Sequence, residues 1–248
     1  MTSALRRLLI PGLFAITGIA VLISLGVWQL QRKEWKEALI ASLERQMSAK
    51  PVPLPAQSSD LLRGNAEFRR VWLRAEFLKD AKPALLYTGA SALREDVKQP
   101  GYFVFAPARL SDGRLVVINR GYVPLERPGE TTDAPPSEIT GYLRFPESPG
   151  WFVSAHDAKG DIWFVRDPQM MAELRGWGPV APFYVDQDAP LPAGGFPKPG
   201  KLAVHLRNDH LGYALTWFGL AAALAGVFAV WATREWYQKT SERSQASL

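Results

Sequence analysis

The sequence predicts a membrane protein in which two transmembrane helices flank one β-rich domain. An apolar segment without charges lies near each end, and each exceeds the roughly 20 residues that cross a bilayer as a helix. Between them lie short stretches of alternating apolar and polar residues, separated by turn residues. The hydrophobic content of 47% is that of a soluble protein only because this polar middle dilutes the two ends. We therefore expect an α+β domain outside the lipid, mainly antiparallel and either an open sheet or barrel-like.

The first apolar segment, residues 8–31, reads LLIPGLFAITGIAVLISLGVWQLQ. Pro11 falls in its first turn, where a missing N–H is tolerated. Arg6 and Arg7 precede it as in a secretory signal peptide, but the segment is longer than a typical signal core and ends in bulky residues. The pattern favours a transmembrane helix that is not cleaved.

Residues 32–50 are predicted to continue this helix beyond the membrane. Trp35, Leu39 and Leu43 are spaced to share one helix face. The prolines at 51, 53 and 55 then end the helix and begin a linker.

The middle of the chain has the pattern of short strands and one helix. The turn Ser111-Asp112-Gly113 predicts a hairpin between two of the strands. Residues 168–177 form the predicted helix, with Asp167 as its N-cap. The predicted strands cover residues 68–77, 102–110, 114–119, 139–145, 161–165 and 182–186.

The second apolar segment ends in aromatic residues, which are typical of the membrane interface. Asn208 and Asp209 are suitable N-cap residues at its start. Its small residues, together with Gly12, Gly18 and Gly26 of the first segment, predict close packing of the two helices. Two spans place both termini on one side, but the basic residues flanking the spans are too evenly divided to say which side.

Composition excludes several functions. The chain has no cysteine and three histidines, which excludes thiol nucleophiles, disulfides and covalent haem attachment, and leaves few ligands for a metal cluster. Basic residues are scattered among nearly as many acids, so nucleic acid is not an expected partner. No phosphate-binding glycine loop, nucleophile elbow or zinc-protease motif occurs. We therefore do not expect an enzyme.

The residues with the clearest functional pattern begin the second span. At about 100° per residue, His210, Tyr213 and Trp217 lie on one helix face at the membrane surface. One interpretation is that His210 anchors the helix among the lipid headgroups. The other is that His210 is an axial ligand to haem iron, with Tyr213 and Trp217 on the macrocycle and Arg207 or Arg32 near the propionates.

Two further features have a structural and a functional interpretation. On the first helix, Trp28 belongs to a stripe with Ser24, Gln31 and Trp35, which either anchors the helix at the interface or faces His210. In the domain, Asn119-Arg120-Gly121-Tyr122-Val123-Pro124 follows a strong strand, and a structural role for Arg120 is expected there.

Four segments together resemble the surfeit locus protein one family, which consists of assembly factors for cytochrome c oxidase. The resemblance covers nearly the whole chain in the same order, and it identifies His210 as the histidine connected with haem in that family. The segments are LGVWQLQRKEWKEALI, VVINRGYVP, DIWFVRDPQMMAEL and NDHLGYALTWFGLA.

The resemblance implies a function, partners and a location. It implies delivery of haem a to the catalytic subunit of the oxidase, with that subunit, the haem a synthesis machinery and the lipid bilayer as partners. It implies a multi-pass protein with both termini inside, and the lack of a mitochondrial-type presequence favours the bacterial inner membrane with the domain in the periplasm. The alternatives are a cofactor-free scaffold for an early oxidase intermediate and, less favoured, a membrane-tethered enzyme.

These inferences combine into one domain plan. Residues 1–7 are assigned to a cytoplasmic N-terminus and residues 234–248 to a cytoplasmic tail. The transmembrane helices are assigned to residues 8–31 and 207–233, and the helical extension to residues 32–50. The β-rich domain covers residues 51–206, with linkers at 51–59 and 188–201.

Overall fold

The computed structural model describes residues 3–55, 66–127, 137–148, 155–203 and 208–245. The chain divides into two compact units, of which one contains residues 1–40 and 206–248 and the other residues 41–205. The helices are α1 Ser3–Ser48, α2 Pro168–Arg175 and α3 His210–Gln245, and the strands are β1 Val52–Pro53, β2 Arg70–Phe77, β3 Ala84–Thr88, β4 Gly101–Leu110, β5 Leu115–Pro124, β6 Ser137–Arg144, β7 His156–Asp157, β8 Ile162–Trp163 and β9 Val180–Ala189.

The first unit consists of two long helices, each long and apolar enough to cross a membrane by length and composition. Only 6% and 11% of their most apolar segments are buried, which distinguishes them from the core helices of a soluble protein. α1 runs without interruption to Ser48, and its residues 41–48 belong to the second unit.

The second unit is built on a nine-stranded sheet that closes into a five-stranded barrel. The barrel order is β2-β6-β9-β5-β4, and it closes because β2 pairs with both β6 and β4. All of these pairs are antiparallel except β5 with β9. The predicted class, an α+β and mainly antiparallel barrel-like domain between two apolar helices, is confirmed.

Two hydrophobic clusters stabilise this domain. The barrel interior is filled by side chains from all five strands, among them Leu73, Ile118 and Phe183, which are at most 4% exposed. The outer face of β4 and β5 packs under α2 and β8, where Trp163 and Met171 are fully buried. At about 25 cal/mol per Å² of apolar surface, these side chains supply most of the driving force for folding of the domain.

The N-cap of α2 and the turn of the β4–β5 hairpin are formed by the residues that the sequence predicts. Asp167 caps α2 by accepting hydrogen bonds from the backbone N–H groups of Gln169 and Met170. Gly113, in the predicted turn, has a φ of 86°, which favours glycine.

Three predictions for the strands need correction. β5 does not end at residue 119 but continues to Pro124, because Gly121 adopts a φ of 124° within the strand instead of making a turn. β9 extends to Ala189, so the second linker begins after that residue. β3 was not predicted, because ALLYT is short and lies between loops rather than after a turn signal.

Candidate functional site in the helix pair

α1 and α3 pack against each other through small residues, as predicted. A Cβ atom built on Gly26 would lie 2.5 Å from the Phe218 ring, and one on Gly18 would lie 3.0 Å from Leu224. On α3, Ala214 and Ala221 are at most 5% exposed and lie two turns apart on one face. The two helix backbones therefore approach closely along this line.

His210 is the first residue of α3 and contacts α1. Its Nδ1 atom lies 2.7 Å from the Oε1 atom of Gln29. The imidazole is half-buried, and α3 begins behind it with the Tyr213 N–H donating to the carbonyl of Asp209. Gln29 and His210 both stand where a charge-free segment ends, next to Arg32 and Asp209 respectively. The contact thus lies at one end of the apolar helix pair.

Tyr213 and Trp217 follow His210 along α3. Ala214 is fully buried and marks the direction of α1, and Tyr213 lies about 100° away from it around the helix. Tyr213 is accordingly 58% exposed, while Trp217 is half-buried. The helix therefore presents an aromatic surface beside the histidine, with Tyr213 on its outer flank.

The predicted aromatic stripe of α1 does not make the contact with His210. Ser24, Trp28, Gln31 and Trp35 are all exposed, and Trp28 retains 53% of its accessible surface. The contact comes instead from Gln29, the neighbour of Trp28. Arg32 is also exposed, and its guanidinium carbon lies 3.9 Å from the centre of the Trp35 ring.

Gln29 was missed in the sequence, although a signal for it exists. Gln29 lies seven residues after Leu22 and fourteen residues after Ala15, so it falls on the same face of α1 as the residues that contact α3. A polar residue on the contact face of a transmembrane helix is expected to bond to the partner helix. The aromatic stripe that contains Trp28 lies on the neighbouring face of α1.

Arg207, the remaining residue of the predicted haem site, lies outside the described residues. Within the described ranges no group of three or more His, Asp or Glu side chains is placed to hold a metal ion. His156 lies in β7, half-buried and stacked on Trp163 of the domain core with ring centres 4.2 Å apart.

The NRGYVP segment of β5 stabilises the domain through a buried network of polar side chains. Asn119 donates to Asp186 and accepts from the Gly121 N–H, and Asp186 in turn pairs with Arg144. All of these side chains are at least nine-tenths buried. Arg120 is buried as expected, with its guanidinium 4.6 Å from the centre of the Phe77 ring.

The positive charge of the buried Arg144 is balanced by two carboxylates. Arg144 bonds to Glu67 at 2.7 Å and to Asp186 at 3.2 Å. Burial opposes its charged form, but these carboxylates and Tyr184 outweigh burial and raise the pKa of Arg144 above its usual range. The guanidinium stays charged at any pH the fold survives, so this cluster is a fixed structural feature.

The candidate site therefore centres on one imidazole at the end of the helix pair. A neutral imidazole can act as a metal ligand and as a proton acceptor.

Comparison with known proteins shows the family of this chain. The sequence profile of the SURF1 family matches residues 16–222. Surfeit locus protein 1 of Mus musculus is 32% identical over 91% of this chain and 74% of its own length. The human protein is 33% identical over 80% of this chain and 70% of its own, and a SURF1-like protein of Drosophila melanogaster is 33% identical over 94% and 78%. The match includes β5 and the start of α3, and the chain belongs to the SURF1 family.

Proposed function

We propose that this protein binds haem a at the His210 end of its helix pair and promotes insertion of the haem into the catalytic subunit of cytochrome c oxidase. Membership of the SURF1 family supports the coarser statement, a role as an assembly factor for that oxidase. The haem and its site are the proposal. Haem a is cargo in this role, supplied by its synthesis machinery and passed on to the oxidase.

The observation that carries the proposal is the hydrogen bonding of the two ring nitrogens of His210. One ring nitrogen is engaged with Gln29, and Nε2 makes no hydrogen bond to any described residue. Nε2 is a standard ligand atom for haem iron. An aromatic side chain, Tyr213, is exposed one turn along the same helix and can cover part of an apolar macrocycle.

The other predicted contacts fit this site unequally. Arg32 is exposed, lies one turn beyond Gln29 and can pair with a propionate, as can Arg207 from the start of the second span. Trp217 lies two turns beyond the histidine on the same face of α3. Trp28, the neighbour of Gln29, is 53% exposed and stays in the proposed site as a second aromatic side chain that can cover part of the macrocycle.

A carrier needs a weaker site than a haem enzyme does. A single histidine ligand on a lipid-facing helix holds iron by one bond, and the apolar macrocycle stays accessible from the bilayer. The oxidase subunit can then take the haem by offering its own ligands, so transfer needs no chemical step at this protein. This agrees with an assembly factor rather than an enzyme.

The proposed location follows from the same role. The two apolar helices are proposed to span the bacterial inner membrane, with both termini in the cytoplasm and the β-domain in the periplasm. The His210 end of the helix pair would then lie at the periplasmic interface, because His210 follows directly after the domain.

The test is the haem content of the purified protein. Full-length wild type and His210→Ala are purified from cells that make haem a, and the extracted haem is identified by its absorption spectrum. We expect a Soret band in the wild type and loss of most of the haem in His210→Ala. Thr216→Ala, on an exposed part of the same helix, is the matched control and should keep its haem.

Unchanged haem content in His210→Ala would refute the assignment of this residue. Haem-free wild type that still co-purifies with the oxidase subunit and restores oxidase assembly would favour the alternative, a cofactor-free scaffold. Both measurements use the same membranes, so a single preparation decides between the two functions.

A further inference from the structure

We infer that Gln29 is a positioning residue for His210: its side-chain amide holds the imidazole with Nδ1 protonated and leaves the lone pair of Nε2 free for a ligand. The ligand itself rests on the proposed function. The tautomer does not, because it follows from the contact between the two helices.

The direction of the hydrogen bond comes from the atoms involved. The atom of Gln29 that lies 2.7 Å from Nδ1 is the amide oxygen. A carbonyl oxygen only accepts, so with this atom facing the ring we infer that the proton sits on Nδ1. A neutral imidazole carries one N–H, and Nε2 is therefore the nitrogen with the lone pair.

The helix contact makes this bond persistent. Gln29 lies one turn from Gly26, whose close approach to Phe218 sets the distance between α1 and α3. Gln29 and His210 are both half-buried, and Gln29 lies in an apolar segment where few other groups compete for its amide. A hydrogen bond between helices in such surroundings has no better alternative partner.

The bond has a chemical consequence for any metal at Nε2. A histidine ligand that donates its other N–H is fixed in orientation and becomes more basic. Loss of such a partner costs about 10-fold to 100-fold in metal affinity. Gln29 thus tunes the strength of the site without touching the ligand.

The tautomer is tested on the full-length protein without haem. Protein labelled with ¹⁵N-histidine is measured at about pH 8, above the ordinary histidine pKa of about 6.5. The three histidines are distinguished by the loss of one set of signals in His210→Gln. We expect His210 to show a protonated Nδ1 and an unprotonated Nε2 in the wild type, and a shift towards the other tautomer in Gln29→Leu.

The chain supplies a matched control. Gln31 is an exposed glutamine two residues further on the same helix, about 200° away from Gln29. Gln31→Leu should leave the His210 signals unchanged. A wild type protonated on Nε2, with the amide N–H₂ donating to Nδ1, would overturn the inference, as would a tautomer that Gln29→Leu does not change.

Binding of ferric protoporphyrin IX, used as the probe, separates this inference from the proposed function. We expect Gln29→Leu to bind it about tenfold more weakly than wild type or Gln31→Leu. Gln29→Glu should bind it with a more negative reduction potential, because a carboxylate accepts the Nδ1 proton more strongly. A wild type that does not bind the probe but shows the expected tautomer would refute the proposed haem site and support the role of Gln29.

Discussion

Asp161 is surrounded by three basic side chains at the edge of the β-domain. It pairs with Lys82 at 2.6 Å and with Arg175 at 2.7 Å, and His156 lies 3.6 Å away. Asp161 also has a φ of 56°, a conformation that Asp and Asn adopt more easily than most residues. Burial raises the pKa of Asp161, but the hydrogen bonds from Lys82 and Arg175 outweigh burial and lower it to about 2.

This pKa predicts how domain stability depends on pH. Because the folded-state pKa is lower than the unfolded value of about 3.9, Asp161 stabilises the fold above about pH 4 and loses that effect as the pH falls towards 2. Asp161 is a third exposed, so we expect a contribution of about 1 kcal/mol. Asp161→Asn should be less stable than wild type at about pH 5 and nearly equal at about pH 2.

The measurement is urea unfolding of the full-length protein in detergent, followed by tryptophan fluorescence at both pH values. Asn keeps the backbone conformation at this position, so the substitution removes only the charge. A stability difference that stays constant between the two pH values would show that the three basic partners do not act through the ionised carboxylate.

For single residues, the sequence indicates which side chains can act as ligands better than it indicates which side chains they contact. His210 could be singled out because it begins an apolar helix beside aromatics, and its role as a ligand stays a prediction. Gln29 and Asn119 could not be paired with His210 and Asp186, since the members of each pair are far apart in sequence. Side-chain partners of this kind depend on helix and strand packing, which no local pattern encodes.

Among the elements, the contact between α1 and α3 depends on glycines of one helix only. A Cβ atom on Gly26 of α1 would overlap the Phe218 ring and one on Gly18 would press against Leu224, whereas a Cβ atom on Gly212, Gly219 or Gly226 of α3 meets no other atom within 4 Å. The glycines of α1 therefore serve the helix contact, and those of α3 face away from it.

This asymmetry predicts different effects of the same substitution. Gly26→Leu should separate the helices, because the new side chain overlaps the Phe218 ring, while Gly219→Leu should have little effect. The chain has no cysteine, so Gly18→Cys with Leu224→Cys provides a clean reporter. We expect the yield of this disulfide to fall severalfold in the Gly26→Leu background only. Equal yields in both backgrounds would contradict the observed contact.

Strand prediction succeeded where turn residues and alternation agree, as in the β4–β5 hairpin. It failed where a glycine has a positional role inside a strand. Gly121 resembles a turn residue, yet it stays in β5 because a side chain there would overlap the carbonyl of Lys198. Tyr122 then exchanges two backbone hydrogen bonds with Lys198, and this tertiary pairing extends the strand.

For the whole molecule, the proposed topology places the β-domain and the C-terminal end of α3 on opposite sides of the membrane. The basic residues that flank the two spans do not determine which side of the membrane the β-domain faces. The proposed orientation is the one that the family resemblance implies. Exposed positions exist on both sides for a direct test, among them Lys98 in the domain and Arg234 beyond the second apolar segment.

Single cysteines at these positions should differ in their reaction with a membrane-impermeant maleimide. In intact bacterial cells with a permeable outer membrane, we expect Lys98→Cys to be labelled and Arg234→Cys to be labelled only after lysis. The absence of native cysteine removes the background. The reverse pattern would invert the topology and move the His210 end of the helix pair to the cytoplasmic side.

The barrel closure has a consequence for how the protein is made. β9, the last strand of the domain, lies between β6 and β5, and it pairs with both. The barrel therefore stays open during synthesis until Ala189 has left the ribosome. Closure depends on contacts between distant parts of the chain, which form slowly. Until then β5 and β6 each have an unpaired edge, and this is the stage at which chaperones and proteases compete for the domain.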